Sequence, residues 1–305
     1  MSATTAVSAR AVSQPRALMR RHKPHRRRIV LHVVLSVLAL AWLFPVLWAV
    51  FSSFRDYAFT SEHGYVSLGG FTLKNYSNAW EQGDFGRHFY NSLIITVPAV
   101  IVTLFLASCV AFVLARFSFK FNLTLLGLFT AANLLPQQSL LIPLYRLYRA
   151  IPLPYWMSDS GLLLDSFWGL ILINTAFQTG FCVFVLSNYM RTLPHELYEA
   201  AQVDGASVLR QFFQITLPLC RPPLAALATL EVTWIYNEFF WATVLMQTGD
   251  KFPITSSLNN LRGTFFTDDN LVSAASVLVA IPTLVVFFIL QRQFVSGLTL
   301  GSTKG

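Results

Sequence analysis

The chain has 305 residues, 54% of them hydrophobic and only 12% charged, with a net charge of +8. A water-soluble domain carries about 25% charged residues, so an ordinary soluble fold is excluded. The apolar residues cluster in runs near the roughly 20 residues that cross a bilayer as a helix, too continuous for the alternating ten-residue strands of a membrane barrel.

Residues 1–28 hold eight Lys/Arg and no acid, whereas the rest of the chain holds 14 basic and 14 acidic residues. This head abuts an apolar run, so it reads as a cytoplasmic membrane anchor, expected to be disordered, rather than a nucleic-acid arm. The first span is predicted at 29–51. Ala39-Leu40-Ala41 has the form of a signal-cleavage site, but the apolar stretch continues through Trp42 to Phe51, too long for a signal-peptide core. It is therefore read as an uncleaved helix.

Further spans are predicted at 92–115, closed by Arg116, and at 123–145, interrupted by Pro136-Gln137-Gln138-Ser139. Three more follow at 167–190, 222–246 and 271–291. These define an all-α polytopic membrane protein with one domain, 29–295, and a cytoplasmic tail, 296–305. Six spans put both termini on one side. Placing them inside gives the cytoplasm 15 Lys/Arg and the outer loops seven, a bias that comes mainly from the head. Cys109, Cys182 and Cys220 form no CxxC pair and read as packed thiols rather than metal ligands or a disulfide framework.

The polar loop 191–221 lies between the fourth and fifth spans. Pro194 and Glu196 suit the first turn of a helix, and Leu197, Ala200 and Ala201 give it a small apolar face. Gly205 follows Asp204 where a left-handed helix end favours glycine. Ser207 can cap a second helix with the stripe Val208, Leu209, Phe212 and Phe213, ended by Pro218. A DNA-binding helix-turn-helix fits poorly, because three arginines face three acids and phosphate contact needs a positive surface. Two readings stay open on physical grounds: a loop packed on its own bundle, or a docking element for another protein.

Glu199, Ala200, Ala201, Gly205, Ile215, Leu217 and Pro218, with Asp204 among them, resemble the cytoplasmic Glu-Ala-Ala signature of bacterial ABC importer permeases. Gly70-Phe71-Thr72-Leu73-Lys74-Asn75-Tyr76, Phe89-Tyr90-Asn91-Ser92-Leu93, Leu135-Pro136 with Ile142-Pro143-Leu144-Tyr145, Asn237-Glu238-Phe239 and the tail Gly297–Gly305 look like the maltose-type carbohydrate group. Ser302-Thr303 depart from the usual Ala-Val, and the stretch 151–165 is longer than usual. The resemblance implies a type I permease fold and a coupling helix seated in an ATPase subunit. It also implies a second permease, two ATPase subunits, an extracytoplasmic binding protein and a place in the bacterial cytoplasmic membrane. ATP and Mg would reside on the partner chains, with no cofactor on this one. The absence of a G-x-x-x-x-G-K-[ST] loop agrees with that division of labour.

Glu231, Asn237 and Glu238 fall within the predicted fifth span, near Trp234. A carboxylate at bilayer depth costs about 2.5–3.5 kcal/mol even on the lenient insertion scale, so it should face a cavity or a partner. Glu231 and Glu238, seven apart, are expected on one helical face. Gln137 and Gln138 beside Pro136 are further candidates. All are read either as lining of a translocation path or as hydrogen bonds between helices. No catalytic or metal-binding constellation is present. A self-sufficient secondary transporter carrying protons on Glu231 or Glu238, and a membrane-embedded enzyme using the same carboxylates, are the rival readings; neither accounts for 199–218.

Overall fold

The computed structural model describes residues 25–262 and 267–299. Most of the basic head and the end of the tail lie outside these residues. Among the described residues the chain is helical and has no strands, only isolated bridges at Arg55–Phe71 and Pro152–Leu162.

The helices in chain order are α1 His25–Ser53, α2 Tyr57–His63, α3 Lys74–Gln82, α4 Phe85–Arg116, α5 Asn122–Ala132, α6 Leu141–Ala150 and α7 Phe167–Met190. They continue with α8 Glu196–Val203, α9 Val208–Gln211, α10 Leu217–Leu219, α11 Arg221–Tyr236, α12 Phe240–Leu245, α13 Ile254–Ser257 and α14 Asp269–Thr299.

The chain divides into two units, Met1–Trp48 and Ala49–Gly305. The described part of the first is the body of α1. It is apolar on all sides and exposed along nearly its whole length, which suits a helix bathed in lipid.

In the second unit α4 packs along α7. Ala99, Thr103, Ala107 and Ala111, spaced four apart on α4, are fully buried. Small side chains at that spacing let two backbones approach closely, which is how helices gain packing where lipid removes the hydrophobic driving force. At Gly180 of α7 a Cβ would lie 2.4 Å from Asn133 Nδ2 and 2.5 Å from the Phe129 carbonyl, so this position admits no side chain against α5. One apolar cluster joins α4, α6, α7 and α12 through Ala99, Tyr148, Leu170 and Trp241. A second joins α4 and α7 to the following loop through Phe112, Leu186, Tyr198 and Phe212. The third joins α3, α11 and α14 through Ala79, Tyr236 and Ala275.

Four described helices are long and apolar enough to cross a membrane: α1, α4, α7 and α14. The stretch 122–150 makes a fifth if its two arms, bent by 93°, count as one span. That bend falls at the expected Pro136 interruption. The expected continuous span at 222–246 is corrected: it breaks into α11, of 16 residues, and α12, of six. Polar side chains cause the break. Asn237 donates to the Thr233 carbonyl, and the Glu238 carboxylate accepts from the amides of Trp241 (2.6 Å) and Ala242 (3.1 Å), starting a new helix. This also overturns the shared face expected for Glu231 and Glu238.

The end of the bundle away from loop 191–221 is held by side chains bonding backbone. Arg55, 1% exposed, donates to the carbonyls of Tyr65, Gly64 and Gly69 and to Ser67 Oγ, with the Phe51 and Phe59 rings 5.2 and 5.7 Å from its guanidinium. At the start of α4, Asn91 donates to the Asp250 and Phe252 carbonyls, and Ser92 Oγ accepts from the Ile254 amide. Asp165, at φ +60°, accepts from the amides of Gln247 and Thr248 and from Thr248 Oγ1, with Lys251 Nζ 3.5 Å away. The longer 151–165 stretch is thus bolted to the chain after α12.

Candidate functional site

Loop 191–221 folds as two helical pieces at a corner. Glu196 and Glu199 lie in the first turn of α8, where carboxylates complement the helix dipole. Gly205 has φ +74°. Its amide donates to the Gln202 carbonyl at 3.0 Å and that of Ala206 to the Ala201 carbonyl at 2.8 Å. These two bonds make a Schellman end, which the sequence reading located at the right residue. Ser207 then caps α9, its Oγ accepting from the Arg210 amide at 3.3 Å.

Two expectations for the second piece are corrected. Pro218 does not end it: residues 212–216 form a wide π-turn and α10 continues the path to Leu219. The Leu217 amide reaches back five residues to the Phe212 carbonyl; the next residue, Pro218, has no amide to donate, and a wide turn accommodates that loss. The buried face also differs from the expected stripe. Gln211, Phe212 and Thr216 are buried, while Val208, Leu209 and Phe213 stay exposed. In α8 the inward face is Tyr198 and Ala201; Leu197 and Ala200 point outward.

The corner is tied to the bundle from within. Tyr198 Oη and Thr216 Oγ1 are 3.1 Å apart, and Gln211 Nε2 donates to the Ala206 carbonyl at 3.0 Å. The Phe112 ring of α4 lies 5.3 Å from Phe212 and 6.4 Å from Tyr198. Of the eight residues singled out, Glu199, Ala200, Asp204, Gly205 and Pro218 are exposed, Ile215 and Leu217 are half-buried, and Ala201 is buried. With Leu197, Val203 and Leu209 the exposed ones present a partly apolar face that no other part of the described chain covers.

The second feature is a cavity of about 510 Å³ between the bend after α5, the middle of α7 and the break between α11 and α12. Asn133, Gln137, Gln178 and Glu238 supply its polar groups; Phe177, Phe181, Trp234, Phe239 and Phe240 supply aromatic walls. Its volume falls in the usual range for small-molecule sites. Gln137, Trp234 and Glu238 are thereby brought together. Asn237 and Gln138 are exposed beside the cavity's edge residues and do not line it. Glu231 does not line it either. It is 0% exposed, with Cys182 Sγ donating to its Oε1 at 3.1 Å and its Oε2 without a partner. That contact is the bond-between-helices alternative, joining α7 to α11. Sequence reasoning missed Asn133 and Gln178; an amide inside the apolar run 167–190 was the available signal for Gln178.

A helical bundle built around a polar, aromatic-walled cavity, with a stiff exposed corner between its spans, has the parts of a membrane permease. A family model described as the binding-protein-dependent transport system inner membrane component matches residues 88–299. The chain belongs to this family. It is 35% identical to a probable ABC transporter permease protein of Pyrococcus horikoshii, with 90% of this chain and 96% of that one covered. It is 30% identical to the diacetylchitobiose uptake system permease protein NgcG of Streptomyces coelicolor, covering 90% and 88% respectively. Its fold matches that of a bacterial ABC transporter involved in the import of the acidic polysaccharide alginate, with TM-score 0.73 and 23% identity over 90% of this chain and 98% of the other.

Proposed function

We propose that this chain is the permease of an importer that brings a sugar or sugar derivative into a bacterial cell, driven by ATP hydrolysed on separate subunits. The single observation that carries the reading is the exposed Glu199–Gly205 corner, which is stiffened by internal bonds yet open on its outer face. In this reading α8 sits in a cleft of an ATPase subunit. Closure of two such subunits on ATP and Mg moves the corner and switches the bundle between inward- and outward-facing states. This chain itself carries no cofactor. Six spans cross the bacterial cytoplasmic membrane with both termini inside, α11 and α12 together forming the fifth.

A second permease completes the path and an extracytoplasmic binding protein delivers cargo to the outer loops. A saccharide as cargo is supported by the cavity, since aromatic faces with the amides of Asn133, Gln137 and Gln178 suit polyhydroxylated rings, and by the sugar substrate in a relative's name. The proton-carrier alternative has less support, because Glu231 is sealed away from the cavity and Glu238 spends its carboxylate on the start of α12. The test is purification with the partner subunits, followed by ATPase assays with the binding protein and a panel of sugars. One sugar is expected to raise hydrolysis several-fold, and a flat response across the panel would move the chain to an importer of another solute.

A further inference from the structure

The C-terminal ends of α4 and α7 meet α8 around a pocket of about 160 Å³, lined by Phe112, Arg116, Met190, Arg191, His195 and Tyr198 among others. No Asp or Glu lines it, and among the described residues neither arginine has an ion pair. Arg116 lies 4.8 Å over the Tyr198 ring, with its Nε buried and without an acceptor. Arg191 reaches only the Leu114 carbonyl, at 3.5 Å. The dipoles of two helix C-termini offset part of this positive charge, but a buried guanidinium N–H still lacks a hydrogen-bond partner, which is unfavourable for a charged group.

The missing partner is an anion small enough for the pocket, and its surroundings favour one source. The chain leaving Arg116 exposes Phe117, Phe119, Phe121 and Leu123. Such apolar side chains, at the level where two spans end, belong among acyl chains. Basic pockets between spans on the cytoplasmic side suit anionic head groups. We propose that this pocket binds the phosphate of an anionic phospholipid, held by Arg116, Arg191 and His195. Tyr198 belongs to α8, so the head group rests against the corner itself. The inference depends on the proposed function only for the sidedness of this face, and its test reads lipid rather than transport.

The full transporter, purified in neutral detergent, is titrated with phosphatidylglycerol, phosphatidylcholine or inorganic phosphate, and bound molecules are counted by native mass spectrometry. One phosphatidylglycerol per copy of this chain is expected to bind in preference to phosphatidylcholine. Loss of one basic contact is worth about fivefold in affinity. R191Q, at an exposed residue that should not disturb the fold, should therefore weaken binding about fivefold, and R116Q/R191Q about 25-fold. R116K/R191K should retain most of the binding. Equal retention of both lipids, binding unchanged in R116Q/R191Q, or occupation by inorganic phosphate without lipid preference would each overturn the proposal.

Discussion

Gly205 is a position where backbone conformation, not space, selects the residue. A Cβ there would meet nothing within 4 Å, but φ is +74°. A bulky side chain therefore costs about 1–2 kcal/mol through the backbone alone, and asparagine less. Gly205→Leu should leave subunit assembly intact and lower the solute moved per ATP, with Gly205→Asn close to the unmodified protein. Normal coupling in Gly205→Leu would remove the corner from the mechanism. Asp165 makes a pH-dependent prediction. Burial alone would raise its pKa, but the hydrogen bonds from Thr248 and Gln247 and the nearby Lys251 outweigh this and hold it below the ordinary carboxylate value. A carboxyl whose pKa is lowered by folding contributes stability above its unfolded value, near 3.9. The contribution is lost as pH falls through the folded value. The bolt between 151–165 and 246–251 should thus loosen only in acid. Asp165→Asn should weaken it by about 1.5–3 kcal/mol at neutral pH, read as faster amide exchange at Gln247 and Thr248.

Elements differ in how much of them local chemistry decides. The Schellman end and the Ser207 cap depend on residues within a few positions of each other, so the sequence located both. The helix break at 237–239 was hidden, because hydropathy averages over a window and the apolar residues on either side outweigh two polar ones. Only the bonding choice of Glu238, accepting from the next helix rather than facing α11, ends the first helix. Arg55 was equally hidden. Its partners lie nine to 14 residues ahead in a loop without periodicity, and an arginine buried against carbonyls rather than in an ion pair has no sequence signature. Its removal should nevertheless be severe locally. Arg55→Met leaves loop carbonyls without a donor at about 1–3 kcal/mol each. Protease cleavage between residues 56 and 70 should quicken while α4 and α7 keep their protection. Unchanged cleavage would show that the loop holds itself.

At the scale of the molecule, the long spans α4, α7 and α14 were legible because an apolar run of bilayer length has few other structures open to it. Which faces of those helices meet was not legible, since in lipid the contact is made by small side chains such as Ala99 and Ala107 rather than by a polar–apolar contrast. The cavity was half-legible for a related reason: its tryptophan and carboxylate stood out in the sequence and the amide of Gln178 could have, whereas that of Asn133 acquires meaning only when α5 and α7 converge. The shortness of α11 has a mechanical consequence. Sixteen residues rise about 24 Å, less than a hydrocarbon thickness of about 30 Å, so α11 needs α12 to complete a crossing. The cavity wall at Glu238, Phe239 and Phe240 thus falls where no continuous helical ladder keeps the two arms in line.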